Sequence, residues 1–178
     1  MRKQILWTAV VLALLAGPAS ATDLGLFGSG WNTKDADQGM GVGGKVNLGR
    51  LFELRAGYFS DLTADTSPES RDFELKAVPL EAGLAFKFAE NERFAPYVGG
   101  GAGYYLLDTN RGEIDDEAGW YAVLGADFKT SENLGFMVEG IYRGMEATVR
   151  GDDPGDIVGD VNVDFGGLGV NAGLVWTF

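Results

Sequence analysis

Carboxylates are the most plentiful groups in this chain that could do chemistry. It has 26 Asp and Glu against 14 Lys and Arg, and neither His nor Cys. Asp115-Asp116-Glu117 and Asp152-Asp153 set acids side by side. Paired carboxylates cleave glycosides when they are held at a fixed separation across the bond. Neighbours in a loop have no such separation, so these runs read as solvated acidic loops. The stretches Asp152-Asp153-Pro154-Gly155-Asp156 and Asp108 to Glu117 offer oxygens of the kind Ca²⁺ and Mg²⁺ take. Neither has the D-x-[DN]-x-[DN]-G spacing, so a weak, nonspecific cation contact is the most they support, and no metal site is assigned. The absence of His removes imidazole catalysis and most catalytic zinc sites, and the absence of Cys removes thiolates and disulfides. Gly39-Met40-Gly41-Val42-Gly43-Gly44 satisfies G-x-G-x-x-G literally. Lys45 to Leu48 then continues a strand where a dinucleotide site needs a helix, so that reading fails. No catalytic residue and no cofactor is expected, and the chain reads as a non-enzyme. A net charge of −12 leaves no basic footprint for nucleic acid.

The remaining charged residues need elements to position them, and the N-terminus says where those elements fold. Arg2 and Lys3, an apolar run from Ile5 to Ala16, and Ala19-Ser20-Ala21 have the order of a secretory signal peptide. The apolar run is too short for a spanning helix. The expected organisation is a signal peptide over 1–21 and one domain over 22–178, with a mature charge of −14.

That domain alternates with period two, the strand period. Phe52, Leu54, Ala56 and Tyr58 alternate with Glu53, Arg55 and Gly57, and Trp120, Ala122, Leu124, Ala126 and Phe128 with Tyr121, Gly125, Asp127 and Lys129. Eight strands are expected, near 24–31, 38–48, 51–60, 73–88, 94–107, 118–129, 134–149 and 161–178. Short connections alternate with long ones at 32–37, 61–72, 108–117 and 150–160. An even strand count with alternating short turns and long loops fits an all-β fold: an eight-stranded antiparallel up-and-down transmembrane β-barrel.

Which face points inward follows from charge and aromatics. Lys45, Glu53, Arg55, Glu81, Lys87, Asp127, Lys129, Glu139 and Arg143 lie opposite their strands' apolar stripes. Their nearly balanced signs suit mutual pairing in a narrow interior, a lumen ion-pair network in which abundant Gly leaves room for Arg, Lys and Tyr. The apolar faces end in aromatics. Tyr58, Trp120 and Tyr142 stand toward the long loops; Phe52, Phe128 and Phe136, with Phe86, Phe88, Trp176 and Phe178, stand toward the short turns. Two aromatic girdles around an aliphatic band mark membrane interfaces. The long loops hold most of the negative charge, −11 of the −14.

The final strand runs Asn171-Ala172-Gly173-Leu174-Val175-Trp176-Thr177-Phe178. Asn171, Gly173, Leu174, Trp176 and Phe178 resemble the C-terminal assembly signal of bacterial outer-membrane proteins. The resemblance implies recognition by the barrel-assembly machinery. Phe94-Ala95-Pro96-Tyr97-Val98-Gly99-Gly100-Gly101-Ala102-Gly103 is similar to the Pro-Tyr-then-Gly strand of the small outer-membrane barrels. The domain as a whole resembles that group, the OmpA-like transmembrane domain and OmpX-type barrels. This implies a bacterial outer-membrane location, with outer-membrane lipid and lipopolysaccharide as neighbours. Two functions fit. One is a structural or surface-interaction barrel acting through acidic extracellular loops, with a lumen plugged by ion pairs. The other is a small passive channel for small solutes or apolar molecules.

Overall fold

The computed structural model describes residues 21–34, 38–63, 74–88, 93–109, 113–114, 116–150 and 161–178. Most of the expected signal peptide (1–20) and the Asp152–Asp156 stretch lie outside the described residues. Among the described residues there are eleven strands: β1 (Ala21–Thr33), β2 (Gly39–Leu48), β3 (Phe52–Thr63), β4 (Glu74–Lys87), β5 (Phe94–Thr109), β6 (Glu113–Ile114), β7 (Glu117–Lys129), β8 (Leu134–Gly144), β9 (Glu146–Arg150), β10 (Val161–Asp164) and β11 (Gly167–Thr177). Eight of them close a barrel in the order β1-β11-β8-β7-β5-β4-β3-β2, with every neighbouring pair antiparallel. Closure leaves the barrel wall without a sheet edge, a requirement for strands in lipid.

The alternation is inverted relative to a water-soluble barrel. Along β8, Gly135, Met137, Glu139, Ile141 and Arg143 are buried, while Phe136, Val138 and Gly140 are exposed. On β7, Leu124 is 69% exposed, and on β3 Phe52 is 63% exposed beside Glu53 at 1%. A large contiguous apolar exterior around a charged interior matches a hydrocarbon surrounding. Among the described residues, no helix is long and apolar enough to cross a membrane.

The turns are built locally. Gly49 has φ +64, the left-handed conformation that favours glycine, in the tight β2–β3 turn. The β7–β8 turn closes on itself: the Thr130 and Ser131 amides donate to the Leu134 carbonyl at 2.9 and 3.0 Å.

At the long-loop end the wall departs from the expected strands. The segments 134–149 and 161–178, expected to be continuous, break at Met145 and at Phe165-Gly166. Beyond the breaks, β9, β10 and β6 form a separate sheet in the order β10-β9-β6. The breaks have physical causes. Met145 and Phe165 are buried in an apolar cluster with Trp31, Phe59, Ala77, Tyr105 and Leu107. The Gly166 amide donates to Asp164 Oδ1 at 2.8 Å, which takes it out of the ladder. Asp164 also accepts from Lys34 Nζ at 2.6 Å. That bond, with the Gly166 amide, holds the Asp164 carboxyl below the usual carboxylate range.

Candidate functional site

The inward face of the barrel carries charge at three levels. The central one is organised on Glu139 of β8. Its Oε1 accepts from Lys45 Nζ of β2 at 2.7 Å, from Tyr97 Oη of β5 at 2.5 Å, and from Arg55 Nη2 of β3. Its Oε2 accepts from Asn171 Nδ2 of β11 at 2.8 Å. Side chains from four other strands therefore meet one carboxylate. Glu53 joins the same group, with Oε1 3.0 Å from Arg55 Nε and Oε2 3.7 Å from Lys45 Nζ. Lys45, Glu53, Arg55 and Glu139 are all buried. A carboxylate removed from water is tolerable only where cations and donors replace its hydration. Aromatic faces complete the surroundings: Lys45 Nζ lies 4.2 Å from the Tyr97 ring centre, and the Arg55 guanidinium 5.7 Å from Phe27.

Toward the long loops, Arg143 Nε donates to Glu81 Oε1 at 2.7 Å. Its guanidinium lies 5.1 Å from the Trp31 ring and 5.3 Å from Phe59, with the apolar cluster around them. Toward the short turns, Lys87 Nζ bridges Asp23 at 2.5 Å and Asp127 at 2.7 Å. Below this bridge a vestibule of about 260 Å³ opens at the mouth, with Lys129 on its rim.

Eight of the nine charged residues expected in the interior thus fall into these three clusters, and Lys129 stands apart at the mouth. The residues expected at the interfaces face outward: Phe52, Tyr58, Trp120, Phe128 and Phe136 are exposed. Tyr142 is half-buried, its ring 5.4 Å from that of Trp120. In the final strand Asn171 points into the lumen, Gly173, Leu174 and Trp176 are half-buried, and Phe178 is exposed.

Sequence reasoning missed Asp23, the second partner of Lys87, and the donor roles of Tyr97, Asn171 and Ser29. The signal for Tyr97 was present in the glycine opposite it. Tyr97 pairs with Gly125 across β5 and β7, and a Cβ on Gly125 would stand 2.6 Å from the Tyr97 ring. Gly125→Val is expected to drive Tyr97 off Glu139 and to destabilise the barrel by about 1–3 kcal/mol. Urea unfolding in detergent micelles measures this, and an unchanged midpoint would contradict it.

The chain matches the outer membrane protein beta-barrel domain family over residues 8–178. It belongs to that family. The solved structures of the same fold include OprG from Pseudomonas aeruginosa, with TM-score 0.72 and 18% identity, covering 89% of this chain and 97% of that one. They also include the Neisserial surface protein A, with TM-score 0.59 and 13% identity over 88% and 96% of the two chains. A third is the outer membrane protein AlkL in lipid bilayers, with TM-score 0.53 and 15% identity over 89% and 90%. No curated protein matches the chain. The family places this barrel in the outer membrane of a Gram-negative bacterium, the surroundings that its apolar exterior requires.

Proposed function

We propose that this outer-membrane barrel is closed along its axis and works as a non-enzymatic scaffold that holds its acidic loops at the cell surface. The observation that supports the reading is the gathering of Lys45, Arg55, Tyr97 and Asn171 on Glu139, which brings side chains of five strands together inside the barrel. Eight strands enclose a space that side chains can fill. On this reading the cross-linked, charge-paired interior interrupts the water path that ion conduction needs. Function then rests with the long loops: surface contact, adhesion or envelope integrity, with lipid and lipopolysaccharide around the barrel. The terminal strand, Asn171 to Phe178, would be the segment offered to the assembly machinery. The test is ion conductance of the folded protein in planar bilayers, where a closed lumen passes no steady current.

A second reading has its own support. The β3–β4 ladder pairs Ala56 with Leu80 and then Phe59 with Ala77, with no pair at Gly57 or Tyr58. Pro79 of β4 sits in that gap and has no amide to donate. A wall weakened there, next to the buried Phe59, would suit sideways passage of small apolar molecules. A silent bilayer combined with uptake of an apolar fluorescent probe into vesicles would favour it.

A further inference from the structure

The seam where the first strand meets the last is the one closure that local chain connectivity does not assist. Ser29 and Asn171 are 142 positions apart, and Asp23 and Thr177 are 154 apart. Joining such distant segments carries the largest loop-closure entropy in the barrel. An open seam in lipid would also leave two rows of unsatisfied backbone groups.

Both of these residue pairs are directly opposed in the β1–β11 register, and both carry a side-chain bond across the seam. Ser29 Oγ donates to Asn171 Oδ1 at 2.6 Å. Thr177 Oγ1 donates to Asp23 Oδ1 at 2.7 Å. Each clamp continues into the charged interior. Asn171 passes from Ser29 to Glu139 Oε2 at 2.8 Å. Asp23 passes from Thr177 to Lys87 of β4, across the lumen, at 2.5 Å. The Asn171 carboxamide has little choice of orientation: its oxygen must face the hydroxyl and its nitrogen the carboxylate.

We infer that these two clamps form a latch on the β1–β11 seam, one near mid-barrel and one near the short-turn mouth, which couples barrel closure to completion of the lumen charge network. When β1 docks on β11, Ser29 fixes the Asn171 rotamer that donates to Glu139, and Thr177 helps fix the Asp23 carboxylate that accepts from Lys87. Ser29 and Thr177 are therefore positioning residues. Among the described residues, neither side chain bonds a charged group across the lumen, and they act through Asn171 and Asp23. The inference does not depend on whether the lumen conducts or on what the loops contact.

Amide hydrogen exchange on the folded full-length barrel in micelles tests it, because exchange reads each ladder separately. Ser29→Ala is expected to speed exchange about tenfold at residues 28–31 and 170–172, the loss of one buried hydrogen bond. The β5–β7 ladder should stay as it is. Ser29→Thr, which keeps the hydroxyl, is expected to restore protection. Tyr105→Phe removes a side-chain bond between β5 and β4, Tyr105 Oη to Glu81, and should leave the seam unchanged. Thr177→Val probes the other clamp independently and should loosen residues 23–25 and 175–177. Seam exchange within twofold of the unsubstituted chain in both Ser29→Ala and Thr177→Val would overturn the latch. So would a rise spread equally over the β5–β7 ladder.

Discussion

Replacing Glu139 by alanine is expected to destabilise the barrel by roughly 3–5 kcal/mol, the cost of leaving a buried charge without its partner. The size follows from how many groups lose their acceptor together. Lys45, Arg55, Tyr97 and Asn171 all donate to this carboxylate. Lys45 and Arg55 would then share Glu53, 3.7 Å from the Lys45 ammonium and 3.0 Å from Arg55 Nε, and Lys45 would keep the Tyr97 hydroxyl at 2.8 Å. Two buried cations would then share one buried acid. Glu139→Gln keeps an acceptor oxygen and loses only the charge, so its loss should be smaller. Urea unfolding followed by tryptophan fluorescence gives both values. A Glu139→Ala midpoint unchanged to within about 0.5 kcal/mol, the ordinary effect of a surface substitution, would contradict the network's role.

The second large effect concerns the outer face. Leu124 of β7 is 69% exposed, and its strand neighbours are Val98 and Gly140. On a water-soluble barrel, Leu124→Arg would be close to neutral. On a barrel in lipid, Arg near the bilayer midplane costs roughly 2–4 kcal/mol, and less toward either interface. Leu124→Arg is therefore expected to lower stability in bilayers by that amount. The same change at Phe136, in the short-turn girdle, should cost about 0–1 kcal/mol. Equal effects at the two positions would contradict the placement of the aliphatic band at mid-membrane.

The wall of the barrel was legible in the sequence because lipid imposes one rule on every strand. Phe52, Leu54 and Tyr58 must face out, so Glu53 and Arg55 must face in, and the period of two fixes the rest. The inward set of charges followed from the same parity. Pairing within the set was not legible. Lys87 meets Asp23 and Asp127 because β1, β4 and β7 converge at the mouth, and one-dimensional spacing does not contain the stagger that brings them together. The inward aromatics were hidden for a related reason. Trp31 and Phe59 share parity with inward polar residues, Asp23 and Ser29 on β1 and Glu53 and Arg55 on β3, yet they fill an apolar cluster at the long-loop end, and the strand period does not say which strands bring those rings together. The breaks at Met145 and Phe165-Gly166 left a mark in the sequence: the apolar stripe changes parity, from Phe136, Val138 and Tyr142 to Met145, Ala147 and Val149, and from Val161, Val163 and Phe165 to Leu168 and Val170. Burial falls on Arg143 and Met145 at the first break and on Phe165, Gly166 and Gly167 in succession at the second, and the change of ladder partners there is what the one-dimensional pattern does not contain. Glycine was read correctly as room, but its particular tenant, such as Tyr97 over Gly125, needed the cross-strand register.

The central claim is that side chains meeting on Glu139 close the lumen. Single-channel current across a planar bilayer tests it most directly, comparing the folded natural chain with a variant carrying Lys45→Ala, Arg55→Ala and Glu139→Ala together. Removing two cations and one acid, with Glu53 left in place, empties the centre while the aliphatic wall stays intact. A silent natural chain and steady steps from the triple variant are the predicted result. Steady, reproducible steps from the natural chain would contradict the claim and make this barrel an ion-conducting channel.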